Sequence, residues 1–238
     1  MDRALCQLFV QSRLTLPKLA LNRLFDEFST QPVELRELPK GPWSTPLSDV
    51  IPLLKIVCCA DPQRLLEVGS YRGYTALLLA QHMSENAQLV TVDQDERHGE
   101  AYRDTAYAEH IERRVGVTGT GVLDDPDGSY DFIFLDAGHQ YHEVKHDTEL
   151  LLPLLSDTGV FLWHDYANWG FFRPVDGAPV NGVPEYLNEL SDDIPIAHVS
   201  GADLAIHSPC WGSSQHDRFR NALMHNEGTA WETEQMRG

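Results

Sequence analysis

Two aspartates and two histidines follow two short apolar runs of the sequence, and they are the side chains best suited to chemistry. Asp136 and His139 come after the first run, and His164 and Asp165 close the second. Both runs have the length and composition of buried strands. Because the carboxyl ends of adjacent parallel strands meet at one edge of a sheet, we expect the four side chains to converge there. The other histidines do not cluster in this way, and we treat them as incidental.

This set of groups can hold a metal ion or move a proton. Asp136 and Asp165 offer the carboxylate oxygens that Mg²⁺ prefers, and we predict a divalent cation between them. His164 is the third predicted ligand, and if its ring turns inward, its nitrogen favours Mn²⁺ or Fe²⁺ over Mg²⁺. Imidazole titrates near neutrality, so His139 is the preferred general base and His164 the other candidate. The predicted catalytic residues are therefore Asp136, His139 and His164.

A turn that contains glycine forms the second stretch with functional potential. Residues 65–68 are typical of a buried strand, Gly69 ends it, and an apolar helical pattern begins at Ala76. Such a turn lets a ligand approach bare backbone, and the helix N-terminus offers free N–H groups to an anionic group. The dinucleotide fingerprint does not fit, because Tyr71 and Tyr74 stand where it has glycine or a small residue. We expect a nucleotide-like ligand of another kind.

A carboxylate is placed to bind the ribose of that ligand. Residues 89–92 form another β-type run, and Asp93 follows it, 24 positions after Gly69 (93 minus 69). At the carboxyl end of the neighbouring strand, this carboxylate can accept hydrogen bonds from both ribose hydroxyls. The turn at 119–121, with Thr120 at its centre, should lie at the same edge of the sheet, where the base of the ligand is expected.

The elements that must position these groups alternate along the chain. Alternating strands and helices predict a doubly wound α/β fold with a mostly parallel sheet. The predicted strands are 65–68, 89–93, 115–119, 130–136 and 159–165, followed by a hairpin of 194–199 and 203–207. One predicted helix has Thr45 as its N-cap, and its apolar face consists of Leu47, Val50, Ile51, Leu54, Val57 and Cys58. Further helices are predicted at 97–110, 140–152 and 183–190.

The chain divides into three predicted parts. Residues 1–44 form a helical segment and linker, with two short helices within 5–28; residues 45–212 form the ligand-binding domain; and residues 213–238 form a polar tail. The apolar stripe of the N-terminal helices can pack on the domain, cap the cavity or join a partner subunit. A homodimer is therefore one of the open alternatives. An aperiodic segment within the domain should cover the substrate, with Tyr166, Trp169, Phe171, Phe172 and Arg173 as its members.

Composition excludes several classes of partner. The chain has 36 acidic residues against 18 lysines and arginines, which gives a formal charge of −18. Such a protein repels nucleic-acid phosphates and anionic membranes, so we expect neither as a partner. No run approaches the roughly 18 apolar residues of a membrane span. Since the N-terminus also lacks the pattern of a signal peptide, we expect a cytoplasmic protein with a small neutral or cationic substrate.

Four motifs together resemble a known family. They are Leu-Leu-Glu-Val-Gly-Ser-Tyr-Arg-Gly at 65–73, Val-Thr-Val-Asp at 90–93, Tyr-Asp-Phe-Ile-Phe-Leu-Asp-Ala-Gly-His-Gln-Tyr at 130–141, and Gly-Val-Phe-Leu-Trp-His-Asp-Tyr at 159–166. Their order is similar to that of the class I S-adenosylmethionine (SAM)-dependent methyltransferases of family 24. This group is related to catechol-type and macrolide sugar O-methyltransferases and to the cephalosporin hydroxylases. The resemblance covers residues 45–207 and implies a Rossmann-like sheet of seven strands with an antiparallel terminal hairpin.

The resemblance also implies a cofactor, an activity and a set of binding residues. It implies that SAM is bound by residues 45–212 and that a small-molecule hydroxyl is methylated. The implied cofactor-binding residues are Glu67, Gly69, Ser70, Tyr71, Gly73, Asp93, Thr120 and Asp136. The chain departs from the family where Tyr71 replaces the middle glycine of the loop, and where Ala137 and Gly138 replace a Gly-Asp pair before His139. Two alternatives stay open: a metal-independent methyltransferase with a histidine base that acts on nitrogen or a carboxylate, and a non-methylating, hydroxylase-like relative.

Overall fold

The described part of the chain consists of a single sheet flanked by helices. The structure is a computed structural model that describes residues 14–39, 41, 43–167, 181–212 and 217–224. The strands are β1 (Lys18–Leu19), β2 (Arg64–Val68), β3 (Gln88–Asp93), β4 (Ile111–Val115), β5 (Tyr130–Leu135), β6 (Leu155–Trp163), β7 (Ile196–Val199) and β8 (Ala205–His207). The α-helices are α1 (Leu21–Leu24), α2 (Leu47–Ala60), α3 (Tyr74–His82), α4 (Tyr141–Leu151), α5 (Val183–Leu190) and α6 (Asp217–Ala222).

The sheet has eight strands in the order β1-β7-β8-β6-β5-β2-β3-β4. All neighbouring strands are parallel except β8, which runs antiparallel to both β6 and β7. This confirms the Rossmann-like, mostly parallel fold with an antiparallel terminal hairpin. The strand order also brings the carboxyl ends of β5 and β6 side by side, with β2 and β3 next to them.

The sheet has one strand more than the seven that were predicted. Strand β1 lies in the N-terminal segment and pairs in parallel with β7, with Leu19 opposite Val199. A two-residue strand is too short to give a periodic signal. Two helices were expected within 5–28, but the described part of that range contains β1 and the single-turn helix α1. Residues 5–13 lie outside the described residues.

Two apolar layers enclose the sheet. Alternate residues of each central strand face opposite sides, as the pleat of a strand requires. Helices α2 and α3 cover the first side, where they meet Leu65 and Phe132. Helices α4 and α5 cover the second side, where they meet Leu66 and Ile133. A sheet covered on both faces explains why its strands read as continuous apolar runs.

Helix α2 presents a different face from the one predicted. Val50, Leu54 and Val57 are buried as expected, but Leu47 and Ile51 are 40% and 38% exposed. The buried face instead includes the fully buried Asp49. Pro46 is the N-cap of this helix in place of Thr45. A pattern of apolar residues does not reveal a buried aspartate. The predicted buried face of α2 was therefore rotated about the helix axis relative to the observed one.

Two further predictions of secondary structure were wrong. The range 97–110 forms turns and a short 3₁₀ helix at Ala106–His110 in place of an α-helix. The third strand was predicted at 115–119, but β4 ends at Val115. This edge strand carries Glu112, Arg113 and Arg114, so an apolar run does not mark it. It pairs with β3 along its whole length.

The tail contains a packed helix. Residues 217–224 were predicted to be part of a polar tail, yet Phe219 of α6 is buried and stacks on Trp211 with ring centroids 4.3 Å apart. The division of the chain at residues 44 and 212 stays a prediction. Among the described residues, no helix is long and apolar enough to span a membrane.

Candidate functional site

A cavity of about 590 Å³ opens at the carboxyl edge of the sheet. It is lined by the ends of β2, β3, β5 and β6, by the first residues of α3, and by one side of α4. Eight of the predicted site residues lie in its wall. They are Gly69, Ser70, Tyr71, Asp93, Asp136, His139, His164 and Asp165.

The glycine turn joins β2 to α3 with an unusual backbone. Gly69 has a φ of 98°, and a Cβ atom placed on it would lie 1.9 Å from the carbonyl oxygen of Asp136. Only glycine fits where β2 passes so close to β5. Tyr71 adopts a φ of 49°, and Gly73 is the N-cap of α3 with a φ of 83°. Three positions of the loop, 69, 71 and 73, thus have left-handed backbone angles.

Asp93 is held in position by the backbone. Its Oδ2 accepts a hydrogen bond from the N–H of Tyr71 at 2.7 Å, and its Oδ1 accepts from the N–H of Asp95 at 2.8 Å. These bonds tie the end of β3 to the glycine turn. Each carboxylate oxygen keeps further acceptor capacity toward the cavity. The geometry suits the predicted contact with two ribose hydroxyls.

Glu67 lies beneath the turn and not in the cavity wall. Its side chain is fully buried, and its Oε2 accepts a hydrogen bond of 2.5 Å from the Thr91 hydroxyl. Burial raises the pKa of Glu67 to about 8. Its Oε1 has no hydrogen-bond partner among the residues that the structure describes. Glu67 therefore supports the turn from below.

Thr120 lies away from the position expected for it. Its side chain is exposed, and its hydroxyl donates a 2.6 Å hydrogen bond to the Val117 carbonyl oxygen. The cavity wall at this point consists of Gly116, Val117 and Thr118. The difference follows from β4, which ends at Val115, so that the cavity-facing turn comes earlier than predicted.

Helix α4 contributes side chains that the sequence analysis missed. His142, His146 and Asp147 line the cavity, and the Thr118 hydroxyl donates to the Asp147 carboxylate. We had treated both histidines as incidental. Their spacing of four residues on a predicted helix puts them on one face, and that signal could have found them.

Asp136, His139 and Asp165 form the chemical centre of the site. The ligand-type atoms of these three residues lie within 4.8 Å of one another. His139 Nε2 is 2.5 Å from Asp165 Oδ2 and 3.9 Å from Asp136 Oδ1. Asp165 has a left-handed backbone with a φ of 59°, which a non-glycine residue rarely adopts. The strand has therefore turned at Asp165, which directs its carboxylate toward His139.

His164 lies behind this centre, between carboxylates on both sides. Its Nδ1 is 3.1 Å from Asp136 Oδ1, and its Nε2 is 3.0 Å from Oδ2 of the buried Asp49. Both ring nitrogens thus lie within hydrogen-bond distance of a carboxylate, and this arrangement favours the protonated form of the ring. The roles of His164 as a metal ligand and as a base stay predictions.

The charges of the site shift the pKa values of both histidines. Burial opposes the charged form of His164, but the Asp136 carboxylate, with Asp165 and Asp49, raises its pKa well above the usual value. Burial also opposes the charged form of His139, yet its hydrogen bond to Asp165 raises its pKa. Burial alone would raise the pKa of Asp165, but the two histidines lower it. Asp165 is thus an anion that both imidazoles stabilise.

The donor set fits a divalent cation. Two carboxylates and one imidazole nitrogen meet at the centre, which is a combination that Mn²⁺ or Fe²⁺ accepts readily and Mg²⁺ less so. The set differs from the predicted one in a single member, because His139 takes the place of His164.

The predicted substrate-covering segment falls almost entirely outside the described residues, which end at 167 and resume at 181. Trp169, Phe171, Phe172 and Arg173 belong to that undescribed part. Tyr166 is described, and it is a core residue. Its hydroxyl donates to Asn188 Oδ1 at 2.8 Å and accepts from the N–H of Leu16 at 2.9 Å.

Comparisons with known proteins show a similarity to methyltransferases. Residues 66–166 match the family model of a methyltransferase domain. The chain is 28% identical over 127 residues to O-methyltransferase hkm8 of Aspergillus hancockii, which covers 50% of each chain. It is also 29% identical over 146 residues to the uncharacterized protein y4gI of Sinorhizobium fredii, which covers 55% of this chain and 15% of that protein. The chain thus spans half or less of the length of these relatives.

Solved structures show the same fold at low identity. The SAH-bound methyltransferase PaMTH1 of Podospora anserina has a TM-score of 0.58 and 19% identity, over 79% of this chain and 86% of that one. The O-methyltransferase TomG of Streptomyces achromogenes, in complex with SAM, has a TM-score of 0.53 and 19% identity. That match covers 87% of this chain and 91% of the TomG chain. A putative caffeoyl-CoA O-methyltransferase of Staphylococcus aureus has a TM-score of 0.56 and 19% identity. That match covers 68% of this chain and 84% of the other chain.

Proposed function

Because residues 66–166 match the family model of a methyltransferase domain, we propose that the protein is a SAM-dependent enzyme that methylates a hydroxyl oxygen of a small molecule. One observation carries the proposal. The centre of Asp136, His139 and Asp165 lies in the same cavity as the glycine turn and Asp93. A single cavity thus offers a cofactor end and an end that can prepare an acceptor oxygen. The relative hkm8, which bears the name O-methyltransferase, supports oxygen as the acceptor atom.

The cofactor end is formed by the turn at 69–73 and by Asp93. SAM, when bound, supplies the methyl group as a sulfonium. The carboxylate of Asp93 is already fixed by two backbone N–H groups, so it accepts hydrogen bonds from the ribose hydroxyls without rearrangement. The remaining part of the cavity is left for the nucleobase of the cofactor. It is enclosed by residues 116–118 and by the face of α4 that carries His142 and His146.

The acceptor end must bring an oxygen nucleophile into line and loosen its proton. Methyl transfer needs that oxygen about 3 Å from the methyl carbon. Asp136, His139 and Asp165 would hold a divalent cation, which would orient the acceptor hydroxyl and lower its pKa. The His164 ring holds the Asp136 carboxylate from behind, so that carboxylate does not need to move.

A second route needs no metal, and the contact of 2.5 Å between His139 Nε2 and Asp165 Oδ2 favours it. In this route His139 accepts the proton of the acceptor hydroxyl. Asp165 stabilises the imidazolium that forms, as a carboxylate does for a catalytic histidine. Both routes use the same residues and lead to the same products.

Two aromatic side chains in the cavity wall favour a small apolar acceptor. Trp43 and Tyr71 line the cavity, and they are 66% and 43% exposed. Aromatic rings in a cavity wall offer flat apolar surface to a small ligand. The formal charge of −18 disfavours a polyanionic acceptor such as a nucleic acid.

Methyl transfer with defined variants tests the proposal. The purified protein would be given SAM and a panel of phenols, catechols and sugars, with Mg²⁺, with Mn²⁺ or with excess chelator, and the products analysed by mass spectrometry. Stimulation by an ion and loss on chelation support the metal route, with Asp136→Asn inactive yet able to bind S-adenosylhomocysteine. Full activity in chelator with His139→Ala inactive supports the metal-free route.

Binding of S-adenosylhomocysteine tests the cofactor end separately. Asp93→Ala removes hydrogen bonds worth about 1.5–3 kcal/mol each if both are made to the ribose, and calorimetry should show a weakening of at least tenfold. Asp95→Ala is the matched control, because the half-buried Asp95 carboxylate pairs with Arg97 and is not part of the cavity wall. Equal affinity of wild type and Asp93→Ala would overturn the cofactor assignment. Binding without transfer to any oxygen acceptor would favour a non-methylating relative.

A further inference from the structure

Helix α2 reaches the chemical centre from the side of the sheet opposite to α4. The fully buried Asp49 in its first turn places Oδ2 3.0 Å from His164 Nε2. Its other oxygen, Oδ1, accepts a 2.8 Å hydrogen bond from the N–H of Asp203 in the β7–β8 turn. Four residues earlier, the Thr45 hydroxyl donates to Asp136 Oδ2 at 3.2 Å. One short segment thus supports the centre at two points.

Packing alone does not explain an aspartate at this position. Val50 and Leu53 beside it fill the core with apolar side chains, and a buried carboxylate costs free energy unless it is paired. Asp49 offsets this cost through its contact with His164 and through its place near the N-terminus of the helix, where negative charge is favoured. The residue therefore fits a need for charge opposite His164.

His164 transmits that contact to the centre. On its other side, Nδ1 lies 3.1 Å from Asp136 Oδ1 and 3.3 Å from Asp165 Oδ2. The ring thus connects one carboxylate of the helix to both carboxylates of the strand ends. If the ring rotates, the two carboxylates lose a common hydrogen-bond donor.

We propose that Asp49 is a positioning residue for methyl transfer, which acts through His164 to fix the Asp136 and Asp165 carboxylates. The inference rests on the proposed function, because it assigns Asp49 to the same reaction. A misplacement near the reacting atoms of about 1 Å can cost about 100-fold in rate, so a residue that never touches the acceptor can matter. Asp49 and His164 should act as one unit.

Four variants and three measurements test this. Asp49→Asn keeps the shape of the side chain and removes its charge, and His164→Gln and the double variant complete a cycle. Asp131→Asn is the matched control: its carboxylate also joins elements, through Gln63, Arg64 and Ser156, but at the opposite edge of the sheet. The measurements are long-range ¹H–¹⁵N spectra of the full chain with labelled histidine, kcat on the acceptor found in the panel, and the Kd of S-adenosylhomocysteine.

We expect Asp49→Asn to shift the His164 ring signals and to leave those of the buried His207 in place. Its kcat should fall about 10- to 100-fold, as for other residues that orient a site from behind, while the Kd of S-adenosylhomocysteine stays within about twofold. The double variant should be no slower than the slower single variant. Asp131→Asn should keep the wild-type kcat.

Several results would overturn the inference. Unchanged His164 signals in Asp49→Asn would show that the contact does not hold the ring. A wild-type kcat in that variant, losses that multiply in the double variant, or an equal loss in Asp131→Asn would show that Asp49 does not act through His164. If the wild type transfers no methyl group at all, the proposed function fails first, and the assignment of Asp49 to it fails as well.

Discussion

The protonation of a single residue, Glu67, links the folding of this protein to pH. The side chain is fully buried beneath the glycine turn, and burial raises its pKa to about 8. An unfolded glutamate has a pKa of about 4.3. Between the two values, the folded state binds a proton that the unfolded state has released. The contribution of Glu67 to stability is therefore complete below the unfolded pKa and is lost as the pH rises through about 8.

Glu67→Gln should remove this part of the pH dependence. From about pH 5 to about pH 8, the free energy of unfolding of the ligand-free wild type should contain a loss of up to about 1.4 kcal/mol per pH unit from this group. The glutamine variant is neutral throughout and should lack it. Urea unfolding across that range measures the difference, with the exposed Glu85→Gln as a control that keeps the wild-type slope. Parallel profiles of wild type and Glu67→Gln would contradict the raised pKa.

At the scale of elements, the approach of β2 to β5 determines where the site forms. Gly69 ends β2 with a φ of 98°, and a Cβ there would meet the Asp136 carbonyl oxygen at 1.9 Å. Gly201 in the β7–β8 turn has a similar φ of 85°, but nothing lies within 4 Å of its added Cβ. The two glycines thus separate the cost of backbone strain from the cost of a steric clash.

Alanine at the two glycines should differ in cost for this reason. Gly201→Ala carries only the left-handed strain of about 1–2 kcal/mol. Gly69→Ala adds overpacking of about 1–3 kcal/mol, and it should also displace Asp136 and lower transfer activity. Chemical denaturation of both variants measures the difference, and equal losses of stability would show that β2 and β5 separate at little cost.

Elements differ in how clearly the sequence marks them. The central strands are predictable because a sheet covered on both faces gives continuous apolar runs. The ends of these runs predict Asp93, Asp136, His139 and Asp165 at one edge, and the structure brings them into one cavity. Strand β4 was predicted at the wrong residues because this edge strand carries three charged side chains and gives no continuous apolar run.

Other parts of the site depend on tertiary packing and leave no local signal. Asp49 looks like a surface residue near the start of a helix, and only the rotation of α2 against the sheet buries it against His164. The pairing of both His164 nitrogens with carboxylates follows from that rotation. The sequence pattern could therefore propose His164 as a ligand, but it did not reveal that a carboxylate faces each of its ring nitrogens.

At the scale of the whole molecule, the two described ends of the chain support one edge of the sheet together. Strand β1 extends the sheet beyond β7. Two backbone hydrogen bonds join this N-terminal segment to the segment after Trp211. The N–H of Ala20 donates to the Ala222 carbonyl oxygen at 3.0 Å, and the N–H of Met224 donates to the Lys18 carbonyl oxygen at 2.8 Å. A single-turn helix such as α1 is not stable by itself. It therefore depends on α6 for its position.

Phe219 should be the residue through which α6 holds this edge. Its ring is 5% exposed and stacks on Trp211 at 4.3 Å, so Phe219→Ala should destabilise the protein by about 3–5 kcal/mol. Arg218 is the matched control on the same helix, because its ion pair with Asp26 is exposed on both sides, and such pairs contribute little. Thermal and urea unfolding should therefore separate Phe219→Ala clearly from Arg218→Ala. If Phe219→Ala unfolds at the wild-type midpoint, α6 is not needed for this edge, and the sheet must be stable without the contact between the two ends.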